Sequence, residues 1–308
     1  MAEANGVPRV CAVCGSALET RFPSVLDPQT RERFSILACV ACGHGHTSPQ
    51  PHDLAPYYDK DYYGARHGFT ANYCVQRRLR WVHSILGAGR GCKLLDVGCG
   101  DGAFLLAARN SGWSVAGTER NTAPASKSGL EVFRDLASAA PSGPFDCISL
   151  WHVLEHMPDP RAALVDCRNS LKPEGCLFVA VPDAAGLQAR AFGPHWLHLD
   201  VPRHLHHFNA GSLGKLLRGG GFESIRAWHQ EFEYDLLGWS QSALNALGFP
   251  ANLFFRALTG HAADSGKASV VFNWICGAEI STLALPLVPL GSALSRGGTL
   301  IFAARPGR

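Results

Sequence analysis

The chain has no excess of charge of either sign. Its 308 residues hold 28 Lys and Arg against 25 Asp and Glu, a formal net charge of +3. So mild a balance argues against nucleic acid as a partner, and the cluster Arg77, Arg78 and Arg80 reads first as a solvated helix face. No internal repeat and no low-complexity tract is present, which argues against a solenoid. The opening MAEANGVPRV lacks the apolar run of a secretory signal, so the expectation is a cytoplasmic chain in a reducing compartment, where disulfides do not form. What remains is ordinary for a globular protein, 46% apolar and 17% charged, with room for one large core or two domains.

Eleven cysteines then need another explanation. Four form two knuckles, Cys11-Ala-Val-Cys14 and Cys39-Val-Ala-Cys42, each followed directly by a glycine, Gly15 or Gly43. Glycine there permits a tight turn that aims backbone amides at thiolate sulfur. Two such knuckles predict a structural zinc ion held by Cys11, Cys14, Cys39 and Cys42, in a ribbon over residues 1–50 that ends at Pro49 and Pro51. A redox pair would need only one copy, opening a helix after a strand. The other seven cysteines show no pairing and read as small core residues. Residues 51–90 follow as an aromatic and helical connector, with Tyr57, Tyr58, Tyr62, Tyr63 and Phe69 before a helix over about 72–86. The tyrosines either stack on a flat ligand or pack against a neighbouring domain.

From Lys93 short apolar strands alternate with helices, the pattern of an α/β doubly wound parallel sheet. The expected strands are 93–98, 113–119, 130–133, 145–150, 176–182, 222–228 and 299–305. They define a core over 91–230 and 298–308, interrupted by an apolar helical insertion at 231–297 that is longer than loop lengths permit.

The first strand runs into LLDVGCGDGAF, where Gly98, Gly100 and Gly102 let backbone approach a ligand at a helix N-terminus. Glycine spacing alone also fits a nicotinamide fingerprint. Asp96 separates the two, because an acid two residues before the first glycine would face a pyrophosphate but suits a cationic ligand such as S-adenosylmethionine (SAM). Glu119, ending the second strand, is placed to accept hydrogen bonds from ribose hydroxyls.

The stretch WHVLEHMPDP carries His152, Glu155 and His156 as H-x-x-E-H, which on a helix is an inverted peptidase zinc motif. Pro158 and Pro160 stop any helix just past His156, so a peptidase is excluded.

These motifs, with LKPEGCLFVAVP and HWLHLDVPRHLHHFNAGSLGKLLRGGGF, resemble the class I SAM-dependent methyltransferases, in particular the bacterial subgroup with an N-terminal zinc ribbon. The resemblance implies a seven-stranded Rossmann-like sheet in the order 3-2-1-4-5-7-6. It implies that Asp96, Gly98, Gly100 and Glu119 surround the methionine and ribose, that Asp135 touches the adenine amine, and that Trp151 and His152 lie near the sulfonium and the acceptor. Some quinone-pathway O-methyltransferases of this fold hold a divalent metal through Glu-x-x-Glu-His at this place. Here His152 stands for the first glutamate, which leaves either a two-histidine, one-carboxylate site or a metal-free arrangement.

Methyl transfer needs a base for the acceptor, and HWLHLDVPRHLHHF offers His195, His198, His204, His206 and His207. The resemblance favours His204 first and His207 second. The expected activity is methyl transfer to an oxygen or carbon of a small-molecule, sugar or lipid-linked acceptor. The rivals are a catalytically silent SAM-binding or zinc-ribbon interaction protein and a nicotinamide oxidoreductase. The insertion, with apolar stretches at 236–258 and 270–294, reads either as a cap or dimer surface, or as a hairpin at a membrane interface anchored by Trp239, Phe249, Phe254, Phe255 and Trp274. The second use would make the chain peripheral at the inner face of the membrane.

Overall fold

The computed structural model describes residues 10–58, 69–260, 262 and 265–307; Tyr62 and Tyr63 of the expected aromatic stretch lie outside them. In chain order the strands are β1 (Leu18–Leu26), β2 (Arg33–Cys39), β3 (Gly45–Ser48), β4 (Lys93–Val97), β5 (Ser114–Thr118) and β6 (Glu131–Phe133). They continue with β7 (Phe145–Trp151), β8 (Leu171–Pro182), β9 (His206–His207), β10 (Phe222–Trp228) and β11 (Thr299–Pro306). The chain divides into two compact units, each built from separated segments.

One unit spans Gly68–Val181, Gly214–Ala227 and Ile301–Arg308 and carries the seven-stranded sheet. Strands β7 and β8 are near-continuous apolar runs, buried along almost their whole length, as a sheet covered on both faces requires. The order is β10-β11-β8-β7-β4-β5-β6. Counted from Lys93 as the first strand, it is the expected 3-2-1-4-5-7-6 order seen from the opposite edge. Strands β4, β5, β6, β7 and β8 pair in parallel, and the order reverses between β4 and β7. Ligands of open α/β sheets bind beyond the carboxyl ends at such a reversal. The register makes those ends level, with Val97 opposite both Thr118 and Leu150. The loops that begin at Gly98, Glu119 and Trp151 therefore leave the sheet side by side.

The other unit draws on residues 10–58, Pro182–Leu213 and Trp228–Leu300. Its sheet, β1-β2-β3-β9, is antiparallel, with bulges that bend β1. The two-residue strand β9 joins β3 by pairing His207 with Gly45 and His206 with His46. Phe34, Ile36, Leu54, Trp196, Leu199 and Leu205 share a core. The insertion belongs to this unit as four helices, Phe232–Ala246, Leu253–Leu258, Lys267–Ala284 and Leu287–Ala293.

A buried ion pair joins distant parts of this unit. The Arg203 guanidinium reaches Asp27 at 3.0 Å and Asp200 at 2.7 Å, and donates to the Tyr57 carbonyl at 3.1 Å. Asp27 is fully buried and also accepts from the amide and hydroxyl of Thr30. Removing one partner of a buried pair leaves the other charge desolvated without its counter-ion. Arg203→Met is expected to cost about 3–5 kcal/mol in urea denaturation of the full chain. An unchanged midpoint would show that solvent reaches Asp27.

Candidate functional site

At the level rim of the parallel sheet the chain turns sharply after β4. The amides of Gly98 and Cys99 both donate to the Thr118 carbonyl, at 2.8 and 3.0 Å, which ties the turn to the end of β5. Gly98 has φ +70°, and a Cβ there would strike Val153 at 2.5 Å. At Gly100, φ +57°, the space a side chain would fill is open. Gly102 follows with φ 81° and caps the helix Ala103–Asn110. Both oxygens of Glu119 are held by backbone, Oε2 by the Gly100 amide at 3.0 Å and Oε1 by the Arg120 amide at 2.8 Å. Each oxygen keeps a further lone pair, so the carboxylate is oriented and still able to accept a diol. An open glycine turn beside a fixed carboxylate fits a nucleoside with a ribose.

Asp96 lies within β4, buried, and accepts from the Ser149 hydroxyl at 2.6 Å. Burial pushes its carboxyl up to about 7, against the Ser149 hydrogen bond and the nearby Arg78 charge. Trp151, at the end of β7, is enclosed by Phe104, Trp81 and Phe178, with the Arg78 guanidinium 4.9 Å over its ring. Its indole N–H is buried without a hydrogen-bond partner among the described residues. His152 follows with φ 58°, its Nδ1 3.6 Å from the buried Glu155 carboxylate. No extended helix forms at this place, since residues Leu154–His156 make one turn and Pro160 opens the next helix. Asp135 is exposed and caps the short helix Leu136–Ala139, where its Oδ1 accepts from the Ser138 amide and hydroxyl.

Three neighbours of these residues are not apparent in the sequence. Ser149 and Val153 owe their positions to the sheet register and to the loop after β7. Arg78 corrects the solvated-face expectation, because it is buried over Trp151, while Arg77 lies over the Tyr73 and Trp81 rings. The spacing of aromatic residues on the same helix, Phe69–Leu86, was the available signal.

In the unit that holds the ribbon, the four expected cysteines converge. Sγ separations are 3.4 Å for Cys14–Cys39, 3.5 Å for Cys14–Cys42 and 3.6 Å for Cys11–Cys42. Four sulfurs at about 2.3 Å from a tetrahedral zinc lie about 3.8 Å apart, so the donor set fits that ion with little adjustment. Hydrogen bonds from Ser16 pull the Cys14 thiol down to about 6, whereas burial pushes Cys11 and Cys42 up. A dication would offset that cost of burial by stabilising all four thiolates.

The five histidines of the expected acceptor segment also belong to this unit. His204 places Nδ1 2.8 Å from the His198 carbonyl, an acceptor, which fixes the proton on Nδ1 and makes Nε2 the basic nitrogen. His207 is buried on β9 with Nε2 3.0 Å from the Thr47 hydroxyl, and that hydroxyl donates to the His204 carbonyl at 2.6 Å. His207 therefore carries its proton on Nε2, and burial lowers its basicity well below the usual imidazole range.

Asp96 generates a prediction whose sign is fixed by its environment. Its folded value lies above that of an exposed aspartate, so its contribution to stability is complete at pH below the unfolded value and is lost as pH rises through about 7. Asp96→Asn should flatten the decline in stability over that window and leave the protein more stable than wild type at pH 8. Melting curves across pH check this, and parallel curves for the two proteins would contradict it.

A family model described as a methyltransferase domain matches residues 69–227. A ubiquinone biosynthesis O-methyltransferase of Stutzerimonas stutzeri is 30% identical over 208 residues, covering 63% of this chain and 81% of that one. Another of that name, from Actinobacillus pleuropneumoniae, is 33% identical over 117 residues, but the match spans 33% of this chain and only 50% of the relative. A solved SAM-dependent methyltransferase from Archaeoglobus fulgidus aligns with TM-score 0.47 and 20% identity, over 76% of this chain and 94% of that one. With a methyltransferase model matched over more than half its length and the corresponding glycine turn, acid and sheet order in place, the chain belongs to the class I SAM-dependent methyltransferases.

Proposed function

We propose that this methyltransferase acts on a hydroxyl oxygen of a small acceptor carried in a lipid surface. Asp96, Gly98, Gly100, Gly102, Glu119 and Trp151 would hold SAM, Asp135 would meet the adenine amine through Oδ2, and His204 would take the acceptor proton. The observation that carries the cofactor assignment is the Glu119 carboxylate, held on both oxygens by amides of the glycine turn and its own loop. When bound, SAM supplies a methyl group whose leaving sulfur departs as a neutral thioether and needs no acid. The acceptor hydroxyl does need a base, and His204, whose Nδ1 proton sits on a carbonyl, has Nε2 4.0 Å from the Asp200 carboxylate, which would stabilise the imidazolium formed on taking that proton. His207 is a weaker candidate because its Nε2 proton faces the Thr47 hydroxyl. The names of the curated relatives favour oxygen over carbon as the atom methylated.

Calorimetry and turnover separate the two roles. Glu119→Ala should weaken SAM binding by about 1.5–3 kcal/mol, whereas His204→Gln should leave SAM affinity alone and lower kcat about tenfold or more. Unchanged turnover in His204→Gln would move the base to His207 or His152. SAM binding without a methyl gain in any acceptor extract, read by mass spectrometry, would favour the silent partner.

The lipid part of the proposal rests on the insertion, whose two longest helices bury polar side chains beside Leu244 and Ala284 and leave large apolar ones outside; Phe254, one of the expected anchors, is buried instead. Ser240, Gln241 and Ser242 are buried on Phe232–Ala246, and Asn273 and Gly277 on Lys267–Ala284. The Ser240 and Ser281 hydroxyls meet at 2.6 Å between these helices. Val271, Phe272, Trp274, Ile275, Leu283 and Leu285 are exposed instead. Water disfavours so broad an apolar face, while an interfacial helix would bury it among acyl chains with Trp274 at the headgroup level. Among the described residues no single helix is long and apolar enough to cross a membrane; Lys267–Ala284 and Leu287–Ala293 form a pair bent by 43°. The full chain should float with liposomes, and Phe272→Asp with Ile275→Asp should abolish flotation without loss of SAM binding. A chain that stays with the buffer and dimerises through this face would replace the membrane by a second copy.

A further inference from the structure

A second group of metal-ligating side chains stands apart from the four cysteines. His46 and His206 are directly paired across β3 and β9, and His44 precedes them in the turn after Cys42-Gly43. They are 1, 3 and 0% exposed in that order. Each offers one ring nitrogen, and the three nitrogens lie within 4.8 Å of one another. His44 Nε2 and His206 Nδ1 face each other at 3.1 Å. Two imidazole nitrogens bound to one tetrahedral zinc at about 2.0–2.1 Å would be about 3.3 Å apart.

Hydrogen bonding among the rings does not account for the cluster. Phe208 covers His44, with ring centroids at 4.7 Å, and His44 Nδ1 is buried with no partner. A metal on His44 Nε2 would leave that nitrogen as it is; what points to a metal is the convergence of three buried ring nitrogens, which nothing in the methyl-transfer chemistry requires.

We propose that His44, His46 and His206 form a second metal site, selective for a borderline divalent transition ion such as zinc. Neutral imidazoles suit zinc, nickel or copper and disfavour magnesium and calcium, which prefer oxygen ligands. Three ligands leave a fourth position for water. A buried dication on neutral ligands needs a counter-charge nearby, and a tetrathiolate zinc site carries a net charge of about −2. The two clusters touch through the backbone: the Ala12 amide, between Cys11 and Cys14, donates to His46 Nε2 at 3.4 Å, and the Cys39 amide donates to the His44 carbonyl at 2.9 Å. Each site thus moderates the charge of the other.

The test is the metal content of the full chain, purified without chelator from zinc- or cobalt-supplemented medium. Elemental analysis should find two ions per chain. In the cobalt form, thiolate charge-transfer bands report the cysteine site, and additional ligand-field bands report imidazole coordination. His206→Gln and His46→Gln should each lower the count from two ions to one while the thiolate bands stay. One ion per chain in the wild type overturns the proposal, whether or not the variants fold, and leaves the histidines as a metal-free buried group. Two ions retained in both variants also overturn it, since the second would then lie elsewhere.

Discussion

The cofactor end of the molecule depends on one carbonyl. Thr118, the last residue of β5, accepts the amides of both Gly98 and Cys99, and its successor Glu119 accepts the amide of Gly100. Three consecutive amides of the turn are therefore directed at two consecutive residues of the neighbouring strand. That arrangement requires β4 and β5 to end level, which their parallel register provides, and positive φ at Gly98 and Gly100, which other residues adopt at a cost. Asp96 is then trapped beneath the turn, buried against Ser149 of the strand on its other side, where neutrality is favoured until a cation arrives. The elevated value and the glycine geometry are two results of the same register.

The sheet and the zinc knuckles were legible in the sequence because each depends on a local pattern. Apolar runs of strand length between turn residues mark the seven strands to within a few residues, and LLDVGCG marks the turn. Cysteine spacing similarly anticipates the convergence of Cys11, Cys14, Cys39 and Cys42. What stayed hidden depends on partners far apart in the chain. Nothing near Ser149 announces that it will serve Asp96, 53 positions away. Arg203 reads as one more loop cation, yet it joins Asp27, Tyr57 and Asp200. Arg78 was misread because charge was given more weight than the aromatic residues sharing its helix. A guanidinium that stacks on rings can be buried along with them.

The insertion shows the same limit from the other side. Its apolar composition was plain, but composition does not say which face turns inward. Ser240, Gln241, Ser242 and Asn273 take the interior, where hydroxyl and amide groups find one another or backbone, as with Ser240–Ser281 and Asn273 with the Ser269 carbonyl. Small and polar residues at helix contacts, with large apolar ones outside, suit a surrounding that is itself apolar. In water the opposite distribution is the stable one. That contrast is what the proposed interfacial role of the insertion rests on.

The place of the cysteine ribbon in this methyltransferase follows from β9. The histidine segment has little regular structure of its own, two residues of strand after two short helical turns and before the helix Ala210–Gly219. Its backbone is held by the ribbon. The Thr47 hydroxyl donates to the His204 carbonyl, the Thr47 amide and the Gln50 side chain donate to the Leu205 carbonyl, and Asn209 donates to the Cys42 carbonyl within the second knuckle. Thr47 lies in β3, Gln50 just after it, and Cys42 in the knuckle before it, and β3 is itself paired with β2. A metal that orders Cys39 and Cys42 would therefore also steady the backbone from His204 to Asn209. The ribbon thus supports the segment that carries His204, and the wide separation of the two in sequence is bridged by four hydrogen bonds.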